Sequence, residues 1–313
     1  MITPRQHTIS LVAVFVALVL GVVLGSGVLS GPLLAGLQSE KQELRAQVDA
    51  LHEQQAALNE RLTTANDFDA QMASRMVHGA LTGKSVVVFR APDAHDDDVE
   101  AVSRIIGQAG GVVTGTVTLT SQFVEGNDEE KLRTVVESGI VPAGAQLNTG
   151  YVDQGAQAGD LLGLALLINR DLAVAPADDN QRETVLAALR DTGFVTYGEQ
   201  RLGAANTAVV ITGGALGDEA GNVGVSVARF AAALAPHGSA TVLAGREGCA
   251  SGTAAVAMAR ADSGISGAVS TVDDVDVESG RITTVMVVSS QADGGHAGQY
   301  GIGHGAGSVT IAR

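Results

Sequence analysis

From Ile9 to Leu29 the chain reads ISLVAVFVALVLGVVLGSGVL, twenty-one residues without a charge. At about 1.5 Å per residue such a helix is about 31 Å long, the thickness of a bilayer core. The stretch is apolar all round, so it predicts a transmembrane anchor over 9–29, preceded by a short tip, 1–8. A cleavable signal peptide is the competing reading. Arg5 supplies a basic start and Gly25-Ser26-Gly27 supplies small residues for cleavage. The apolar run nevertheless exceeds the usual 7–15 residues of such a signal. Arg5 and His7 precede the anchor, while Lys41 and Arg45 beyond it are mixed with Glu40 and Glu43. That asymmetry places the N-terminus in the cytoplasm and the body outside. Ala17, Gly21 and Gly25 form a small-residue face on which two such helices could meet.

Past Ser30-Gly31-Pro32 the spacing changes to seven. Leu37, Leu44, Leu51 and Leu58 recur in register, and Ala65 continues the series; the second seam position holds Lys41, Val48, Gln55 and Leu62. This heptad predicts a coiled coil over 33–78, and with it a homodimer or higher oligomer. Lys41 and Gln55 in the seam favour a low oligomer state. One amphipathic helix packed on the body would carry a similar stripe.

From Lys84 the pattern changes again. SVVVF (85–89), TAVVIT (207–212), ATVLAG (240–245) and TAAVAMA (253–259) are short continuous apolar runs, and VVTGTVTLT (112–120) is partly alternating. Continuous runs predict strands buried on both faces, as in a parallel sheet. Helical spacing lies between them, over Asp98–Ala109, Asn127–Ser138, Asp160–Asn169, Asn180–Thr192 and Asn222–Ala235. The body, 80–313, therefore reads as a Rossmann-like, mostly parallel α/β domain, with Val141–Gln157 as a possible bridge between two halves. Arg281–Ser290 reads as a helix that Ser279 could cap, and Gly294–Gly307 as loop.

Composition narrows this picture. The chain has 40 Gly, six Phe, three Tyr and no Trp, so Val, Ala, Leu and Ile must build the core. A net charge of −15 argues against nucleic acid as a partner. The single cysteine, Cys249, excludes an internal disulfide and has no neighbouring His, which reads as a structural thiol. There is no GxxxxGK[ST] and no GxSxG. Gly213-Gly214 follows a strand, but its spacing does not match GxGxxG. No enzymatic constellation is present.

Two loops carry candidate metal ligands. Ala91-Pro-Asp-Ala-His-Asp-Asp-Asp98 gathers Asp93, His95, Asp96, Asp97 and Asp98 at the carboxyl end of the first strand. That set suits a divalent ion such as Cu(II) or Zn(II). The same acids would also serve as a turn and helix start, where carboxylates complement the helix dipole. The second is the Gly-rich tail, with His296, Tyr300 and His304. Cu(I) prefers thiolate and thioether, but Met72, Met76, Met258 and Met286 are scattered.

Several long blocks together resemble one family. They are RQHTISLVAVFVALVLGVVLGSG, VVVFRAPDAHDDDVEAVSRIIGQAGG, QGAQAGDLLGLALL, GVSVARFAAALAP, STVDDVDVESGRIT and GGHAGQYGIGHGA. The chain resembles the mycobacterial copper transport protein B family over nearly its whole length. The resemblance implies a pore-forming outer-membrane protein of copper efflux and copper resistance, with copper as the transported ion. A different role comes with a resemblance to related actinobacterial proteins: a membrane-anchored coiled-coil scaffold, with an envelope protein partner, that controls a cell-wall hydrolase during division. A transmembrane barrel needs at least eight alternating strands with aromatic girdles. The body does not read that way.

Overall fold

The computed structural model describes residues 4–25, 30–124, 129–171 and 173–311. It divides into two compact units, Met1–Ala65 and Asn66–Arg313. In the first, α1 spans Pro4–Gly25, and α2, Ser30–Met76, begins. Among the described residues no helix is long and apolar enough to cross a membrane. The expected anchor over 9–29 ends in residues 26–29, which lie outside the described residues. Its described part, from Ile9 to Gly25, is about 17 residues and about 26 Å, short of a bilayer core of ~30 Å. What α1 does present is an apolar surface, with Ile9, Phe15, Leu20 and Val23 all exposed.

The second unit is built on a seven-stranded sheet. Its strands are β1 (Ser85–Arg90), β2 (Val112–Leu119), β3 (Val195–Tyr197), β4 (Thr207–Ile211), β5 (Ala240–Ala244), β6 (Ser270–Val272) and β7 (Gln299–Tyr300), in the spatial order 3-2-1-4-5-6-7. All neighbours are parallel except the edge pair β2–β3. The helices are α3 (Asp96–Gln108), α4 (Ser121–Val124), α5 (Glu129–Glu137), α6 (Gln154–Leu166), α7 (Asp179–Asp191), α8 (Val223–Leu234), α9 (Ala255–Ala261), α10 (Ser263–Ser266) and α11 (Glu278–Ala292).

Alternate residues of each central strand feed two separate cores. Val87, Phe89, Val210 and Leu243 face one side, against Leu161, Val185, Phe230 and Val256 of α6–α9. Val86, Val88, Ile211 and Val242 face the other, against Val102, Ile105, Ile282 and Val285 of α3 and α11, joined by Ala73 and Val77. Both β4 and β5 are buried along their whole length, which is why their sequences are continuous apolar runs rather than alternating ones. With few aromatics available, Phe230 serves twice. Its ring meets Phe89 at 5.1 Å and Phe123 at 5.5 Å, both edge-on.

Several expectations need correction. TAAVAMA is α9, not a strand. It lies on the connection between parallel neighbours β5 and β6, which must cross over a face of the sheet, and its Ala and Met residues are good helix formers. The expected bridge Val141–Gln157 is partly helical, because α6 starts at Gln154. Asp153 caps it by accepting a hydrogen bond from the Ala156 N–H at 2.9 Å. The three-residue strands β3 and β6 went unforeseen. Of the expected helix Asn127–Ser138, residues 127–128 lie outside the described residues and α5 forms the rest. The tail expected as loop contributes β7, pairing with β6.

One helix contact depends on missing side chains. Gly155, Gly159 and Gly163 recur every four residues along α6. A Cβ at Gly155 would lie 2.4 Å from the Ser226 carbonyl oxygen, and one at Gly159 2.5 Å from that of Phe230. One at Gly163 would meet the His237 ring at 2.4 Å. The His237 Nε2 stands 2.6 Å from Asp160 Oδ1, whose other oxygen accepts the Asn148 N–H at 2.7 Å. The α6–α8 seam is therefore backbone against backbone. Gly159→Val should force the helices apart and lower stability by about 1–3 kcal/mol or more, read from the denaturant midpoint. An unchanged midpoint would contradict the close approach.

Candidate functional site

Strand order reverses between β1 and β4, so the loops after β1, β4 and β5 meet at the carboxyl edge of the sheet. In open α/β sheets that crevice is where ligands bind. Here it is filled by the protein's own groups. A Cβ at Gly213 would lie 2.6 Å from the Asp93 carbonyl oxygen, and one at Gly214 2.7 Å from that of Glu247. The glycine pair lets the loops from β1 and β5 close on either side of the loop from β4. The Arg246 N–H donates to the Gly213 carbonyl at 3.1 Å.

Three of the candidate ligands of the first loop, Asp93, His95 and Asp96, sit here, each with a different partner. Asp93 accepts from Thr212 Oγ1, which lies 3.1 Å from both its oxygens. Exposed Asp96 pairs with Arg90 Nε at 3.0 Å. Exposed His95 holds its Nδ1 3.0 Å from Arg246 Nη1. A guanidinium can only donate, so Nδ1 accepts and the ring proton resides on Nε2. A metal entering at Nδ1 would have to displace Arg246. Asp96, Asp97 and Asp98 occupy the first turn of α3, where acids complement the helix dipole. The remaining predicted ligands lie elsewhere. His296 and His304 flank β7, both exposed. The His304 carbonyl oxygen accepts from Arg260 Nη1 at 2.8 Å. Among the described residues no group of three or more His, Cys, Asp or Glu side chains gathers as a metal site.

What the sequence did not reveal is a network of buried carboxylates bound by arginine. Asp98, fully buried, lies 3.0 Å from Arg246 Nε and 3.2 Å from Arg281 Nη2. Glu278 pairs with Arg104 at 2.8 Å and with Arg281 at 3.2 Å. The network stitches α3 to α11 and to the loop after β5. A second clamp holds the tail: Arg260 binds Asp273 at 2.7 Å and the Tyr300 carbonyl at 2.8 Å. The other Asp273 oxygen accepts the N–H groups of Ile302 at 2.8 Å and Gly303 at 3.0 Å. The Gly-rich tail is thus fixed rather than free to wrap a ligand. Cys249 is buried between these regions, and burial pushes its thiol up, in keeping with a structural role.

Asp274 differs from its neighbours. It is buried, and among the described residues its Oδ1 has no hydrogen-bond partner. Burial, then the charges of Asp273 and Asp276, push its carboxyl up from 3.8 to about 6.

The family model described as copper transport outer membrane protein, MctB, matches residues 1–311. Proteins named copper transporter MctB are similar to the chain throughout. That of Mycobacterium tuberculosis (strain ATCC 25618 / H37Rv) is 60% identical over 314 residues, covering 100% of each. That of Mycobacterium bovis is 60% identical over the same span, and that of Mycobacterium leprae 61% over 315 residues, covering 99% of each. None of these names speaks of a cell-wall hydrolase.

Two nearby acids should respond with opposite sign. Asp98→Ala leaves two arginines without their shared carboxylate and should cost about 3–5 kcal/mol. Asp274→Asn removes a charge that the fold disfavours. Because the folded-state value lies above the unfolded one, Asp274 opposes folding above pH ~6. That penalty fades as pH falls and is gone below about 4. The variant should therefore be more stable than the parent at pH 7.5, by an order of 1–3 kcal/mol, with the difference vanishing near pH 4. Denaturant melts across that range check both signs.

Proposed function

The chain belongs to the MctB family of copper transport outer membrane proteins, and on that premise we propose that it serves copper transport and copper resistance at the cell envelope. The observation that carries this reading is similarity along essentially the full length of both chains, rather than over a shared motif. Copper is the cargo. Donors of imidazole and carboxylate type suit Cu(II), and the two loops that offer them are His95 with Asp93 and Asp96, and the tail with His296 and His304. At the first loop, copper would compete with Arg246 for His95.

The architecture bears on how transport is done. A closed transmembrane barrel requires strands of about 9–11 residues whose faces alternate between lipid and lumen. The sheet here is open and mostly parallel, its longest strand has eight residues, and helices cover both faces. We therefore infer a body folded in water and held at an envelope membrane by α1 and the residues that follow it. The N-terminus is then cytoplasmic and the body outside. A protein of this kind transports no molecule chemically changed, so no catalytic residue is assigned.

Two measurements test this. Cells lacking the protein should lose copper tolerance, and the native chain should restore it. A chain with His95, Asp96, His296 and His304 all changed to Ala should restore it only in part. Full rescue at normal protein level would remove these residues as copper donors, whereas unchanged tolerance without the protein would remove the function itself. For topology, a cysteine at exposed Ser251 should react with a membrane-impermeant maleimide when the outer face of the anchoring membrane is accessible, and one at Thr8 should not. The reverse pattern overturns the orientation.

A further inference from the structure

Within the first unit, α2 exposes a stripe of apolar side chains that no other described residue covers. Leu44, Val48, Leu51, Leu58 and Leu62 are 46% to 61% exposed. With Gln55 between Leu51 and Leu58 they alternate by four and three residues, the spacing that keeps one seam of a helix facing a partner helix of the same repeat. Leu37 begins the series in sequence; its side chain lies outside the described residues. No second stretch of the chain carries a leucine heptad of this length, so the chain itself offers no matching seam.

We propose that a second copy of this chain covers the stripe, forming a parallel, in-register, two-stranded coiled coil through Leu44–Leu62. Charge complementarity selects this occupant. With the leucines at the d positions, Glu40 falls at g and Arg45 at e of the next heptad. In a parallel in-register pair, g of one helix faces that e of the other, so Glu40 meets Arg45 of the second copy, twice by symmetry. Both side chains are exposed, and no ion pair joins either to another described residue of its own chain. One exposed pair adds little affinity, and an opposed alignment would set Glu40 against Arg61 instead, so direction comes from anchoring: two chains held in one membrane by α1 send their α2 helices away from it side by side. Lys41 and Gln55 at the a positions keep the seam polar at two levels, which favours two strands and a fixed register over larger bundles. The inference stands apart from copper: it rests on α2 and, for direction, on the proposed anchoring of α1.

The test uses the full chain in its own membranes. Single cysteines are introduced as Leu44→Cys, Leu51→Cys and, on the outward face, Glu53→Cys, and the membranes are oxidised with diamide. Buried Cys249 is no competitor. Facing d positions of a parallel pair fall within the roughly 7 Å Cα separation that a disulfide spans. Leu44→Cys and Leu51→Cys should each give a covalent dimer as the main species, and Glu53→Cys should not. In the Leu44→Cys background, Glu40→Arg should slow cross-linking and Glu40→Arg with Arg45→Glu should restore it. Three outcomes would each overturn the proposal. One is Leu44→Cys failing to link to itself while linking to Leu58→Cys, the antiparallel result. The others are equal linking at all three positions, and no linking at any.

Discussion

The sheet of the second unit is buried on both faces, and most other features follow from that constraint. A strand covered twice can present no charge along its length, so β4 and β5 are runs of small and branched apolar residues. Without Trp and with six Phe, the two cores are filled by Val, Leu, Ile and Ala. Small residues fill space only if the helices approach closely. Glycine at every fourth position of α6 supplies this on one face, letting its backbone touch that of α8. The three-ring contact around Phe230 packs into the same face.

Charge excluded from the strands collects at their carboxyl ends. Three buried carboxylates are tolerated there because each meets a guanidinium: Asp98 with Arg246 and Arg281, Glu278 with Arg104 and Arg281, Asp273 with Arg260. A buried ion pair adds little net stability over an apolar pair, but losing one partner is costly. The network therefore fixes which loop lies where more than it strengthens the fold. It also occupies the crevice where a doubly wound sheet usually receives a ligand. Asp274 beside them has no guanidinium of its own, and its carboxyl is driven up.

Against this rigid body, the histidines are peripheral. His95, His296 and His304 are exposed at loop positions, and the His95 Nδ1 is held by Arg246. The first unit has the opposite character: its described side chains are largely exposed, and its apolar ones lie where lipid or another helix would cover them.

The alternation of short apolar runs with helical spacing determined the α/β class and the parallel sheet, because burial on both faces leaves a pattern that needs no knowledge of neighbours. The heptad of α2 and the acidic start of α3 were legible for the same reason, being properties of one helix. TAAVAMA was misread because a continuous apolar run looks alike in a buried strand and a buried helix. Only its place between two parallel strands decided it. The strands VTY and STV are too short to carry a period. The loop holding His95 was correctly set at the carboxyl end of a strand, but its partner, Arg246, is 151 residues away. The pairing of Arg260 with Asp273 likewise depends on α9 being a helix that turns its last turn towards β6. Which charge meets which is fixed by packing between distant elements, and for that the tertiary structure alone was decisive.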